Sequence, residues 1–463
     1  KTRLNQICFM FSLIFLSINS TSYANDNANN NSFEDAMRSG ITNSNELRLS
    51  RQNYLNAQQE LTIAGSDKDV YGTVSITQNE AFYERPNDGQ EDYDLSTLAG
   101  AVTFTKQLYN FGETKAKQEA ATISIDIAKA EYYRIKQSVL MSLITSYLNV
   151  ILSNEEVNLH LSNIDRLTEQ TNAEKLRVEA GVSTLANLAL SSSKTSISRS
   201  DLITAKAAYQ TAVEHYESLI GILPEKLSEP SLPNLIPNKV QISEELAYKN
   251  HPNLLLANAN QKLASIKQKI LVKSLGPSVD LSLSAKKQET RDSIASDGNE
   301  FSANIALSVP ILVTPASTAQ SQKLTLELLS AQYERDEVKR SIGLVARAGF
   351  RNHIAAKIKL KASIAEVNAY QLIVDATQTE VQFGNKTFLD QLDTEDDLKN
   401  AKIRKLRASH DVLLTGFQLL QSIGSLTPEN LGVEDVSMPL DSLESPKPRV
   451  GSFFSVLKYR QPD

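Results

Sequence analysis

The chain is built twice from one unit, and this duplication limits the possible folds more than any other feature of the sequence. A shift of 203 residues without gaps places Gly181 on Gly384 and Gly221 on Gly424. Each copy reads, in order, as a helix, two alternating segments, a very long helix, a glycine turn and a shorter helix. A repeat of this kind predicts two quasi-equivalent positions in one assembly.

Each copy contains two segments in which apolar and polar residues alternate, as in β-strands with one apolar face. In the clearest of them, Phe301 and Ile305 share one face and Ser302 lies on the other. Polar loops rich in Gly, Asp and Asn join the segments, which predicts β-hairpins at about 70–106 and 278–309. Each strand is expected to have about 9–10 residues, the length that a tilted membrane strand needs.

After each hairpin, apolar residues recur at steps of three and four residues, the pattern of a coiled-coil seam. This pattern predicts long helices at about 113–179 and 316–382, followed by shorter helices at about 184–220 and 387–423. At 1.5 Å of rise per residue, each long helix would be a rod of roughly 100 Å. The predicted fold class is therefore mainly α with membrane β.

The N-terminal segment has the pattern of a secretory signal peptide. A basic start precedes an apolar run of 12 residues and the small-x-small sequence Ser22-Tyr23-Ala24, so cleavage is expected after Ala24. The run is too short to span a hydrocarbon core, which needs about 20 apolar residues. Because the single cysteine, Cys8, lies inside this segment, the exported chain is expected to contain no thiol or disulfide.

The sequence thus predicts five regions along the chain. They are a signal peptide (1–24), a first repeat (25–221), a Pro-rich linker (222–242), a second repeat (243–432) and an irregular tail (433–463).

Composition and motifs argue against catalysis and against nucleic-acid binding. The net charge of −6 is unlike the clustered Lys and Arg of a nucleic-acid footprint. The five histidines are scattered, and no HExxH, cysteine cluster, EF-hand or phosphate-cradling glycine loop occurs. We therefore expect no enzyme activity, no cofactor and no metal. The energy for any transport would have to come from a partner.

Four membrane-length strands are too few to close a barrel, for which about eight is the smallest useful number. An open sheet edge in lipid would leave backbone groups unsatisfied, at a cost of several kcal/mol each. Several copies of the chain must therefore share one barrel, and the long, largely polar helices must project from it. A strand ring in the membrane that continues into a helical tube indicates that this exported protein forms a conduit from the periplasm to the exterior.

Several stretches together resemble the TolC family of outer-membrane efflux and type I secretion channels. The similarity runs from about Ser32 to Gly432 and includes the duplication. The stretches that carry it are "VTFTKQLYNFGETKAKQEAA", "EKLRVEAGVSTLANLAL", "YESLIGILP", "EVQFGNKTFLDQLDTEDDLKNAK" and "LLQSIGSL".

This resemblance implies a homotrimer in the outer membrane of a Gram-negative bacterium. Its three chains would complete a 12-stranded barrel in outer-membrane lipid, continued by a long antiparallel α-helical coiled-coil barrel through the periplasm. It also implies docking onto a periplasmic adaptor (membrane fusion) protein and an inner-membrane transporter of the ABC, RND or MFS type. The cargo, protein or small molecule, stays open.

The resemblance also places Asp390 and Asp393 at the pore constriction, the narrow periplasmic mouth. A three-residue step puts both on one helical face, so threefold symmetry would gather six carboxylates near the axis. Such a ring should raise carboxylate pKa values, favour cations and bind multivalent ones. The residues alone favour a local role, with Thr387 as N-cap and Asp390 completing a capping box, and the two roles can hold at once. We assign Glu395, Asp396 and Asp397 to a solvated face.

The chain departs from the family at positions that latch the closed mouth. Asn187 replaces an acid in the first copy, Val381 replaces an aromatic residue, and Lys386 replaces an arginine. Lys386 remains a candidate for a gate salt bridge across helices. The helix-turn tips, which the resemblance makes possible adaptor contacts, are Gly181, Val182, Ser183, Thr184, Gly384, Asn385, Lys386 and Thr387.

Two other classes of protein combine export with long coiled coils. One is a periplasmic adaptor and the other is a structural protein of an export system. An adaptor carries lipoyl-like and barrel domains between its helices, and a structural coiled coil needs no membrane-length hairpins. The duplicated strand-helix unit therefore favours the channel.

Overall fold

A computed structural model describes residues 32–83, 93–290 and 298–433. The predicted signal peptide and the predicted tail beyond Val433 lie outside the described residues, as do the outer parts of both hairpin loops.

Within the described residues, each copy of the repeat supplies four α-helices and two strands, in the same order. The first copy comprises α1 (Phe33–Asn43), α2 (Asn45–Ile63), β1 (Tyr71–Tyr83), β2 (Tyr93–Tyr109), α3 (Glu113–Glu179) and α4 (Leu185–Ile220). The second comprises α5 (Val240–Asn250), α6 (Pro252–Ser274), β3 (Ser278–Thr290), β4 (Gly298–Ser308), α7 (Pro315–Gln382) and α8 (Phe388–Ser422).

Each copy begins with two helices, where the sequence predicted one. Ser44 separates α1 from α2, and its hydroxyl accepts a hydrogen bond from the Leu47 N–H at 3.3 Å. His251 separates α5 from α6, which begins with Pro252. Proline lacks the N–H that a continuing helix would need, but it suits the first position of a new one. Local capping chemistry thus places both breaks.

The long helices α3 and α7 contain 67 and 68 residues, and each folds back against the shorter helix that follows it. Glycines with left-handed backbones make the reversals, Gly181 with φ of 74° and Gly384 with φ of 77°. A side chain at these positions would be strained because L-residues rarely adopt this conformation. Two antiparallel helical hairpins result, one from each copy.

The four strands form one antiparallel sheet in the order β1-β2-β3-β4, so β2 and β3 join the two copies. Strand lengths are 13, 17, 13 and 11 residues, longer than the sequence indicated. The register aligns Phe104 with Leu283 and Leu283 with Ala303, which gives the sheet one apolar face. That face is open in the single chain: Ile76 is 80% exposed and Phe301 is 85% exposed.

Both copies contribute to the hydrophobic core, which lies near the middle of α3 and α7 and at the ends of α4 and α8 that are distant from the turns. Tyr147 from α3, Tyr216 from α4 and Phe417 from α8 are fully buried in it. The Phe33 ring packs edge-on to Tyr147 at a centroid distance of 5.3 Å. One stretch of α3 is long and apolar enough to cross a membrane, but 56% of it is buried inside the protein. Its apolarity is accounted for by this core.

Phe111 occupies the junction between β2 and α3 with a positive φ of 54°, which is unusual for a bulky residue. Lys273 Nζ lies 4.3 Å from the centroid of its ring. A Cβ on Gly276 would lie 2.3 Å from the same ring, so the absence of a side chain at 276 makes room for it. This glycine-aromatic contact packs the β2–α3 connection against the α6–β3 connection.

Candidate functional site at the helix-turn end

The turn between α7 and α8 positions the acidic residues singled out above. Its backbone closes through two hydrogen bonds, from the Gly384 N–H to the Val381 carbonyl at 3.1 Å and from the Asn385 N–H to the Glu380 carbonyl at 2.9 Å. This pair of hydrogen bonds is typical of a helix end with glycine in the left-handed conformation. The chain then enters α8 through Thr387.

Asp390 completes the capping box that the sequence allowed. Its Oδ2 accepts hydrogen bonds from the Thr387 N–H at 2.8 Å and from Thr387 Oγ1 at 2.6 Å, while the Asp390 N–H donates to Thr387 Oγ1 at 3.2 Å. The Thr387 hydroxyl, and then its backbone N–H, lower the pKa of Asp390. Within one chain these bonds favour the ionised carboxylate, and the effect of an acidic ring on its pKa stays a prediction.

Asp393 has a cationic partner that its local sequence does not reveal. Lys194 Nζ, on α4 of the other hairpin, lies 3.1 Å from Asp393 Oδ1. The only local signal was a single lysine in the otherwise neutral run "LSSSKTSIS". Such a signal does not reveal which side chain lies opposite it.

The prediction that Glu395 lies on a solvated face is wrong. Its side chain is only 8% exposed and forms an ion pair with Arg166 of α3. Gln170 Nε2 donates to both carboxylate oxygens, at 2.9 and 2.8 Å, and Gln391 Nε2 donates to one at 2.9 Å. A buried carboxylate is stable only when paired and hydrogen-bonded, and Glu395 meets this requirement by joining α8 to α3.

Lys386 forms its ion pair inside its own hairpin. Nζ lies 2.9 Å from Glu380 Oε2 and donates to Thr377 Oγ1 at 3.3 Å, both on α7. Within one chain, this contact does not cross between hairpins. The gate salt bridge of Lys386 across helices stays a prediction.

The first-copy turn is capped in the same way but carries no acid on its cap. Thr184 Oγ1 accepts from the Asn187 N–H at 3.2 Å, and Asn187 Nδ2 donates to Ser183 Oγ at 3.2 Å. Ser183 in turn hydrogen-bonds Glu174, which is 2% exposed. This buried carboxylate lies behind the turn, so the tip itself is neutral.

A groove of about 890 Å³ separates α3 from the α7–α8 hairpin near the turns. Its walls are largely polar and carry both signs of charge. The charged residues lining it include Arg166, Glu174, Asp375, Glu395, Lys399 and Lys402. Across the described ranges, no three His, Cys, Asp or Glu side chains are grouped so as to hold a metal ion.

Comparison with known proteins finds a family whose sequence profile covers most of the chain. The profile described as "Outer membrane efflux protein" matches residues 36–221 and 245–425, one segment in each copy of the repeat.

Individual relatives agree with this match. The chain is 25% identical to the outer membrane efflux protein BepC of Brucella suis over 344 residues, which cover 74% of this chain and 75% of BepC. It is 21% identical to the outer membrane protein TolC of Vibrio cholerae over 425 residues, which cover 85% of this chain and 94% of TolC. The fold is similar to the solved outer membrane protein VceC of Vibrio cholerae, with a TM-score of 0.70, 16% identity, and coverage of 84% of this chain and 95% of VceC.

Proposed function

Because this chain belongs to the outer membrane efflux protein family, we propose that three copies of it form a channel-tunnel through the outer membrane. The channel passively conducts small molecules, proteins or both from an inner-membrane complex to the exterior. Each chain contributes four strands to a 12-stranded barrel and two helical hairpins to a periplasmic tunnel.

The incomplete sheet is the observation that carries this proposal. Among the described residues, β1 and β4 each pair on one edge only, and β4 is exposed along its whole length. Unsatisfied backbone edges in lipid cost several kcal/mol per group, so these edges require partner strands. Three sheets of four strands give 12, enough to close a barrel around an open lumen.

The two faces of the sheet suit the lipid and the lumen respectively. The face with Val102, Phe104 and Ile305 is apolar, as a lipid-facing surface must be. The opposite face carries short polar residues, including Thr103, which donates to Ser284 Oγ at 3.3 Å. Alternation of this kind is the pattern of transmembrane β-barrels.

The helices leave an apolar stripe that a neighbouring chain would cover. Leu344, Ile358 and Leu372 on α7 are 61%, 64% and 71% exposed. They are spaced by 14 residues, which is two heptads, so they lie on one side of a coiled-coil helix. Packing against an adjacent chain would bury this stripe and close the tunnel wall.

Family membership extends the proposal to partners and to the mouth. The neutral first-copy tip and the second-copy tip around Lys386 are the candidate docking points for a periplasmic adaptor, itself attached to an ABC, RND or MFS-type transporter. Asp390 and Asp393 are the candidate constriction, facing the threefold axis at the helix-turn end.

The experiment that tests the proposal is purification of the full-length chain from outer membranes, followed by mass measurement and conductance in planar bilayers. A trimer that conducts ions supports it. A stable monomer, or a trimer that inserts but carries no current, overturns it. A periplasmic adaptor, the alternative class, would fractionate with the inner membrane and conduct nothing.

A further inference from the structure

A positive charge from the first repeat lies beside the acidic residues of the second. Lys194 Nζ is 3.1 Å from Asp393 Oδ1. The lysine side chain is 28% exposed and the aspartate 57%, so the pair borders solvent and can act on a passing ion.

Neighbouring contacts hold α8 in the position that brings this pair together. Two residues after Asp393, Glu395 is bound by Arg166 and Gln170 of α3. Further along, Lys399 Nζ lies 3.9 Å from Asp201 Oδ2 of α4. Because α8 contacts both helices of the first hairpin, the distance from Lys194 to Asp393 is set by helix packing and not only by the reach of a lysine.

The two candidate mouth acids consequently differ in their surroundings. Asp390 accepts hydrogen bonds from Thr387, a neutral residue. Lys386, whose charge also favours this carboxylate, is itself ion-paired to Glu380. Asp393, one turn later, has an ammonium within ion-pair distance.

We propose that Lys194 is a specificity-determining residue of the mouth, because its ammonium offsets the charge of Asp393. Each chain then contributes one carboxylate, that of Asp390, with no ion-pair partner among the described residues, and three chains contribute three such carboxylates instead of six. This inference rests on the proposed function, since it assumes that both aspartates face the threefold axis. The mouth therefore attracts cations only moderately, and Lys194 of the first repeat sets how strongly it does so.

The test is cation block of the full-length channel in planar bilayers, with the trivalent polyamine spermidine added on the helix-turn side. Dilute KCl is used because exposed charges are screened within about 10 Å at 0.1 M salt. Lys194→Met should tighten block by about tenfold, from about twofold for each of three ammoniums. The reversal potential in a KCl gradient should shift in the direction that indicates greater selectivity for cations.

Three further variants separate the counter-ion from general effects on the helix. Lys194→Arg keeps the charge and should block as the parent does. Lys194→Met combined with Asp393→Asn restores the original net charge and should return block to the parent value. Lys206→Met is the matched control, because this exposed lysine lies on the same helix about 18 Å further from the turn.

Asp390→Asn tests the mouth itself and should weaken block in every background. If it does so while Lys194→Met behaves like Lys206→Met, the counter-ion role is wrong and the mouth assignment stands. If neither Asp390→Asn nor Asp393→Asn alters block, the mouth assignment falls and the role of Lys194 falls with it.

Discussion

Replacing Gly276 by alanine should destabilise the junction between the sheet and the helices. The new Cβ would lie 2.3 to 2.6 Å from ring and Cβ atoms of Phe111, far inside van der Waals contact. Those atoms are at the base of the side chain, so the ring cannot simply swing away. Overpacking of this kind typically costs about 1–3 kcal/mol.

An effect on the unfolded chain partly offsets this cost. Gly→Ala at a compatible position stabilises by about 0.4–1 kcal/mol, because alanine restricts the unfolded chain. The expected net loss at Gly276 is therefore about 1–2 kcal/mol. Gly100→Ala is the matched control, since its Cβ would meet no atom within 4 Å, and it should be neutral or slightly stabilising.

The assay is the apparent thermal midpoint of the purified protein in detergent, followed by circular dichroism. Gly276→Ala should lower the midpoint by roughly 1–3 °C and Gly100→Ala should not. In a Phe111→Ala background, the alanine at 276 should cost little because its steric partner is gone. The reasoning is refuted if Gly276→Ala matches Gly100→Ala, or if its cost is unchanged without the Phe111 ring.

Further predictions concern the helix-turn end and the trimer. Glu395→Ala should lower the free energy of unfolding by about 2 kcal/mol because it leaves the partly buried Arg166 without its ion-pair partner, whereas exposed Asp397→Ala should not. The lowered pKa of Asp390 means that its stabilisation of the α8 start is present above the ordinary aspartate pKa and is lost as the pH falls through the depressed one. Amide exchange at the α8 start should therefore respond to Asp390→Asn at pH 7, and the response should shrink as the pH is lowered. Leu372→Glu should shift light-scattering mass toward monomer, unlike the charge change Gln371→Glu beside it, and an unchanged trimer would contradict the proposed α7 interface.

Much of the fold could be predicted because its signals are local. The seam of three- and four-residue steps predicted a helix at about 113–179, and α3 spans Glu113–Glu179. The capping role of Asp390 followed from the spacing of Thr387 and Asp390, and the structure confirms it. Helix periodicity, glycine turns and N-caps depend on residues within a few positions of one another, which the sequence displays directly.

The structure alone reveals which residues meet across the two hairpins. Asp393 and Lys194 are separated by 199 residues, and Glu395 and Gln170 by 225. Nothing in either local pattern distinguishes a solvated acid from a buried one, so Glu395 was assigned to the wrong environment. Its burial depends on how far α8 rotates about its own axis against α3.

The amino-acid sequence therefore determined the parts of this protein, namely a duplicated unit, its hairpins, its long helices and their turns. Periodicity and capping specify these parts because the forces involved act between near neighbours. The tertiary structure decided which charges are paired, which are buried and which remain at the helix-turn end. Those outcomes arise from the packing of two hairpins against each other, a relation between residues about two hundred positions apart.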